Sequence, residues 1–459
     1  MLNLTSRFTG RDCQGGTRRD FLKVGTAGLA GLTLPLLLAQ KARADGGTKS
    51  KSVVFLFLCG GASQFETFDP KMTAPDGIRS ATGEVQTRLP GVTFGSTFPN
   101  LARHADKLAV VRSFQPHGIS VHKTAIKTVF KAGITSTTSI GAMSTILSGR
   151  TTTGSGLPSF TELIVDEADP EYQQDSERMR SGNSSGNLGP AFSAFNPTGD
   201  GQINRNMELH LPLARLNSRR ALRNSLDRLN RRVDASGTMG ALDKFEQQAM
   251  DLILGRDARA ALDLSREDPR IVARYDTSRF RIGFRKKRPS DLGQRMLLAR
   301  RLCEAGCGFV TVGSAGWDHH GNKSHSGVFD GVEKLGRPVD KAVSAFLEDV
   351  EERGLSDDIL LVIITEFGRS PRIEKNGGRG HWPGVCPLVF AGGGLKMGQV
   401  IGRSNPRAEA PQTQPVTPEN LLATVLHVLF DVSALRVRVD LPRELAAIIE
   451  RGEPIRGLI

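Results

Sequence analysis

Acidic and imidazole side chains gather at the ends of four apolar runs in this chain. Residues 53–58 (VVFLFL) lead through Gly60 and Gly61 to Glu66 and Asp69, and residues 108–112 lead to His117, Ser120 and His122. Residues 308–313 lead to Asp318, His319 and His320, with His325 just beyond. Residues 359–364 (ILLVII) end at Glu366, Gly368 and Arg369, ahead of a Gly-rich loop bearing His381 and Trp382. Carboxylates mixed with imidazoles are the ligand set of zinc, manganese or iron, whereas calcium favours oxygen alone. Such an ion polarises an ester oxygen or generates a bound hydroxide. The expected ligands are Glu66, Asp318, His320, Glu366 and His381, with zinc or manganese as the divalent metal. His320 is preferred to His319 because alternation along an extended segment puts it on the side of Asp318. His117 and His122 are candidates for a general base or a further ligand, and Arg369 for holding an anionic group. Ser120 admits two roles: N-cap of a helix over 121–131 that ends at Gly133, or nucleophile at that helix start. The 359–384 stretch alone reads equally well as a strand closed by a salt-bridged loop. The convergence of the four exits is what favours a site.

Apolar runs alternate with helical patterns along the chain, which predicts a largely parallel sheet covered on both faces. Ligands in such sheets bind outside the carboxyl ends of the strands, where these residues lie. Further elements are expected as a shorter fifth strand at 388–391 and helices at 101–107, 291–304 and 339–353. A last helix over 419–430 has Thr417 as its cap and Pro418 in its first turn.

The chain has 459 residues, enough for a full core without metal or disulfide staples. Its amino terminus carries Thr17-Arg18-Arg19-Asp20-Phe21-Leu22-Lys23, an apolar stretch to Ala39 and then Ala42-Arg43-Ala44. This is the pattern of a twin-arginine signal peptide cleaved after residue 44. It predicts export by the twin-arginine translocation machinery to the periplasm or beyond, with no stable membrane span after cleavage. Removing the leader, with seven basic and two acidic residues, takes the formal net charge from +13 to +8. That balance suits an anionic small-molecule or polysaccharide substrate, and no aromatic-interleaved basic motif marks specific nucleic-acid binding. Residues 45–459 are expected to form one domain with a helical, irregular and basic insertion at about 166–290. The insertion includes a basic amphipathic helix over 213–233, a second helix over 242–254 and a basic run at 279–288 suited to lining an anion's approach. Cys303 and Cys307 have helical spacing rather than that of a zinc pair, and Cys59 and Cys386 adjoin strands as core residues.

The leader, GGASQFETFDPK, LLARRLCEAGCGFVTV, GWDHHGN, TEFGRSPRI and GRGHWP together resemble the exported, sulfatase-like domain-of-unknown-function 1501 family of the alkaline phosphatase superfamily. The resemblance implies an alkaline-phosphatase-like α/β sandwich, with a central mostly parallel mixed sheet, helices on both faces and a metal site at one sheet end. Hydrolytic members of the superfamily carry Asp at the first strand exit and Asp-His-Gly at the later one. Here Gly60-Gly61 and Glu366-Phe367-Gly368 stand instead, and the formylglycine signature of sulfatases is missing. Two functions follow: a metal-dependent hydrolase of phosphate or sulfate esters, or a degenerate, non-catalytic protein that binds acidic or sulfated polysaccharide.

Overall fold

The computed structural model describes residues 49–133, 136–152, 155–198 and 256–459, with Arg215 and Ser218 as isolated positions. The apolar runs become one seven-stranded sheet: β1 Ser52–Leu58, β2 Leu108–Val111, β3 Phe160–Leu163, β4 Phe309–Ser314, β5 Ile359–Ile364, β6 Leu388–Gly392 and β7 Gln399–Ile401. Their spatial order is β7-β2-β6-β5-β1-β4-β3. Only β6 runs antiparallel to its neighbours, β5 and β2; every other pairing in this sheet is parallel. This is the expected mostly parallel α/β architecture.

Strand β1 is an interior strand between β4 and β5, with Val54 opposite both Val310 of β4 and Leu361 of β5. Every side chain of β1 is buried, and successive side chains point to opposite faces, so the sheet is covered on both. Each Val, Leu or Phe so buried contributes roughly 1.5–3 kcal/mol. Strands β3 and β7 extend the sheet at its two edges beyond the five that the sequence predicts. The first is hidden by its polar residues: Glu162 is buried in it and accepts from Asn183 Nδ2 at 2.8 Å.

The helices that matter for the site are α1 His122–Phe130, α2 Ile140–Ser148, α3 Pro170–Gly182, α4 Leu292–Glu304, α5 Val328–Glu352 and α6 Pro418–Leu429. Helix α1 docks on β1 through Phe130, whose ring lies 5.5 Å from Phe55 and 4.6 Å from Phe57. Helix α6 begins as predicted, with Thr417 and Asn420 in a capping box and Pro418 at its start. Helix α5 starts at Val328, a full three turns before the predicted start after Pro338. An interior proline costs about 3 kcal/mol. Val332, Leu335, Val339 and Val343, buried on either side of it, outweigh that cost at roughly 1.5–3 kcal/mol each.

Residues 1–44, the basic helix expected at 213–233 and the helix at 242–254 lie outside the described residues, apart from Arg215 and Ser218. The described parts of the 166–290 stretch hold α3, the helices Arg256–Leu262 and Pro269–Tyr275, and a hairpin pairing Arg281–Ile282 with Arg288–Pro289. Cys59, Cys303, Cys307 and Cys386 are buried and unpaired. No helix among the described residues is long and apolar enough to cross a membrane.

Candidate metal centre

The carboxyl ends of β4, β1 and β5 lie side by side, and β6, running the other way, enters at the same edge. The segment leading into β6 therefore delivers His381 beside the exits that carry Asp318 and Glu366. Two glycines let these exits meet. Gly60 has φ +119°, and a Cβ there would lie 2.5 Å from the Asp318 amide nitrogen; one on Gly61, at φ +87°, would lie 2.5 Å from the Phe367 ring.

Asp318 is the hub. Its Oδ1 accepts from Arg369 Nη2 and lies 3.0 Å from His320 Nε2 and 3.2 Å from His381 Nε2. Its Oδ2 lies 3.3 Å from both His122 Nε2 and His325 Nε2. Burial alone would raise the Asp318 pKa, but the Arg369 guanidinium and the surrounding imidazoles hold it well below the carboxylate range.

The outer nitrogens of two rings fix what the inner ones present. His381 Nδ1 lies 2.8 Å from the Ser120 carbonyl, and His122 Nδ1 lies 2.8 Å from Glu366 Oε1. Carbonyl and ionised carboxylate oxygens only accept, so each Nδ1 carries the hydrogen. In the neutral rings both Nε2 atoms then turn lone pairs towards Asp318. The buried His122 Nε2 has no hydrogen-bond partner despite its ion-pair range to Asp318, and the His320 and His381 Nε2 atoms face each other at 2.9 Å. Ligand atoms of His122, Asp318 and His381 all lie within 4.8 Å of one another. Lone pairs converging on a carboxylate fit a cation among His122, Asp318 and His381, with His320 beside them. Glu366, fully buried, accepts from Gly60 N and Thr365 Oγ1, both at 2.9 Å, and so orients His122 from behind. Burial would lower the His122 pKa, but the Asp318 and Glu366 carboxylates lift it to about 9, so a second proton takes the cation's place on that ring.

Asp318, His320, His381 and, through His122, Glu366 are thus brought together, and other expected residues are not. Glu66 is not with them: its carboxylate accepts from Ser80 Oγ at 2.6 Å, Ala81 N at 3.0 Å and Thr82 Oγ1 at 2.9 Å, and pairs with Arg379 at 3.2 Å. A carboxylate so fully satisfied ties two loops together. Arg369 does not face outward to an anion; besides Asp318, its guanidinium donates to the carbonyls of Gly60, Gly61 and Arg379. His117 pairs with Glu419 at 2.8 Å, away from Asp318. Ser120 is exposed and does not cap α1, whose N-cap position is held by Val121 without a side-chain bond. His319 is buried with both ring nitrogens unpartnered, and burial, helped by the Arg369 charge, pushes its pKa down to about 3. His325 was the residue missed as a member. Asn322 Oδ1 accepts from the Ser324 and His325 amides at 2.8 and 2.9 Å, turning the loop so that the ring reaches Asp318. The signal for it was an Asn a few residues after Asp-His-His, a turn-forming residue ahead of a further imidazole. Phe367 is buried against the His122 and His381 rings, at 4.9 and 4.5 Å, and forms an apolar wall to the cluster.

A family model described as "Protein of unknown function (DUF1501)" matches residues 50–446. The chain belongs to that family. No curated protein matches this DUF1501 member. Among solved structures it is similar to the lipoteichoic acid synthase LtaP from Listeria monocytogenes, at 10% identity and TM-score 0.35, covering 84% of this chain and 73% of that one. It is also similar to the PsFucS1 sulfatase from Pseudoalteromonas sp., at 14% identity and TM-score 0.33, covering 86% and 70%. The alkaline phosphatase from the Antarctic bacterium TAB5 is similar at 11% identity and TM-score 0.33, covering 83% of this chain and 98% of that one. Likenesses at this level assign no reaction, which must come from the residues.

Proposed function

We propose that this DUF1501 protein is an exported, metal-dependent hydrolase of phosphate or sulfate esters, acting at the carboxyl edge of its sheet. The observation that carries the reading is the convergence of His122, His320 and His381 on the single carboxylate of Asp318. These residues would hold a divalent ion, zinc or manganese, which supplies Lewis acidity for ester cleavage when bound. Around it, Glu366 and the Ser120 carbonyl set the tautomers of His122 and His381. His325, 3.3 Å from Asp318 and 3.7 Å from Glu171, is half-buried and placed to hold or pass a proton at Nε2. Phe367 excludes water from one side of the cluster. Export through the twin-arginine machinery rests on the leader sequence.

A second reading, binding of an acidic glycan without turnover, is favoured by one observation. Arg369, the arginine expected to grip the anionic group, spends its guanidinium on internal carbonyls and Asp318. The two readings separate in a turnover assay on the full chain recovered after export by its own leader, with aryl phosphate and aryl sulfate esters. Hydrolysis that disappears in His320→Ala supports the enzyme. Ion bound but neither ester hydrolysed leaves the binding reading.

A further inference from the structure

The basic hairpin Arg281–Ile282/Arg288–Pro289 lies outside the cluster yet is fastened to the elements that build it. Asp169, the N-cap of α3, accepts through Oδ1 from Glu171 N at 3.1 Å. Through Oδ2 it accepts from the backbone amides of Phe284, Arg285 and Lys286, at 3.0, 2.5 and 3.0 Å. One carboxylate therefore clamps the hairpin tip to the first turn of α3. That turn carries Glu171, 3.7 Å from His325, and further along the helix Asp175 accepts from the Gly316 amide at 3.0 Å, two residues before Asp318. On the other side, Arg285 Nη2 donates to the Lys323 carbonyl at 3.2 Å, in the loop that places His325.

The cations of this hairpin divide into two groups. Arg288 is anchored, with its Nε and Nη2 each 2.7 Å from a Glu167 oxygen. Arg281, Arg285, Lys286 and Lys287, with Lys323 on the adjoining loop, are exposed and form no ion pair among the described residues. Like charges held close together without ion pairs are unfavourable, and the Asp169 clamp fixes the tip cations where a flexible loop would let them separate. They run from Arg281 on the first limb through Arg285, Lys286 and Lys287 at the tip and cross to Lys323 on the His325 loop, so a ligand satisfies them only by carrying negative charge at several points along its length. The Phe280 ring is covered by Arg279 at 4.8 Å and Phe284 is half-buried, so the hairpin itself carries no free aromatic platform for stacking bases.

We propose that this hairpin and the Lys323 loop form a docking surface for a polysaccharide bearing sulfate or phosphate groups, leading its esters towards the cluster. The proposal deepens the ester-hydrolase reading by naming a substrate class, but its test reads binding alone. Affinity of the full chain for dextran sulfate and for a phosphorylated dextran, with neutral dextran and duplex DNA as comparisons, is measured at near-physiological salt. The two anionic dextrans show which ester is preferred. The K286A/K287A double variant should bind the preferred one roughly tenfold more weakly, whereas K107A/K396A, which removes equal charge at the opposite end of the strands, should leave it unchanged. Asp169→Ala is the sharper variant. It makes the protein more positive, so generalised charge attraction predicts tighter binding, and loss of the clamp predicts weaker binding. Thermal melting of each variant confirms folding. Equal losses in both lysine doubles, unchanged or tighter binding by folded Asp169→Ala, or DNA binding as tight as that of the anionic dextrans overturns the proposal. Hairpin-dependent binding without ester turnover overturns the hydrolase reading and leaves the docking surface standing.

Discussion

Arg369 lies beneath Asp318, its Nη2 on the Asp318 Oδ1 atom, with the arginine side chain fully buried. The same guanidinium gathers the carbonyls of Gly60, Gly61 and Arg379, so one planar group ties the exits of β1 and β4 to the loop that brings His381. Removing one partner of a buried pair leaves an uncompensated charge, which costs about 3–5 kcal/mol. Arg369→Met should lower the urea midpoint accordingly, and Arg369→Lys should recover little, because an ammonium cannot reproduce the fork of planar donors. A lysine variant as stable as the parent would show that charge alone is needed there.

Glu66 and Arg379 form a second buried pair, and the arginine also stacks over Phe65 at 4.4 Å. Glu66→Gln is expected to lose stability on the order of 3 kcal/mol, measured by urea denaturation, while its metal content stays that of the parent. Loss of the metal in this variant would return Glu66 to the ligand set.

Asp175 supplies a pH dependence. Burial raises the carboxyl pKa to about 7, opposed by the His122 charge, helped by the Glu366 charge, and opposed further by the Gly316 amide and Arg178. The folded value lies above that of an unfolded Asp, about 3.9, so the folded state binds the proton more tightly. Its contribution to stability is present at acidic pH and lost as pH rises from about 4 to about 7. Asp175→Asn removes that loss, and urea midpoints at pH 5 and pH 8 should shift in the variant's favour by roughly 2 kcal/mol across the interval. An identical pH slope in parent and variant would contradict the raised value.

The sheet was readable because its central strands are uninterrupted apolar runs, and their exits could be matched from composition alone. Asp318, His320 and Glu366 were legible as candidates because polar residues shortly after a buried strand sit at a sheet edge, and His381 because a Gly-rich loop follows that same exit. Three features were not legible. Pro338 looked like a helix boundary, because local rules do not count the valines buried on both sides of it. Glu66 and Arg369 have the residue types of a ligand and an anion clamp, and only three-dimensional pairing shows that Ser80, Thr82 and Arg379 satisfy the one and Asp318 and backbone carbonyls the other. His122 and Glu366 meet from different exits, and no spacing along the chain predicts that contact.

The central claim is that His122, His320, His381 and Asp318 hold one divalent ion. Calorimetric titration of the metal-stripped full chain with zinc, repeated on Asp318→Asn, His122→Ala and Glu66→Gln, tests it most directly. One site should appear in the parent, persist in Glu66→Gln and weaken by roughly 100-fold or more in the other two. Absence of a site in the parent, or equal affinity in all four proteins, would contradict the account.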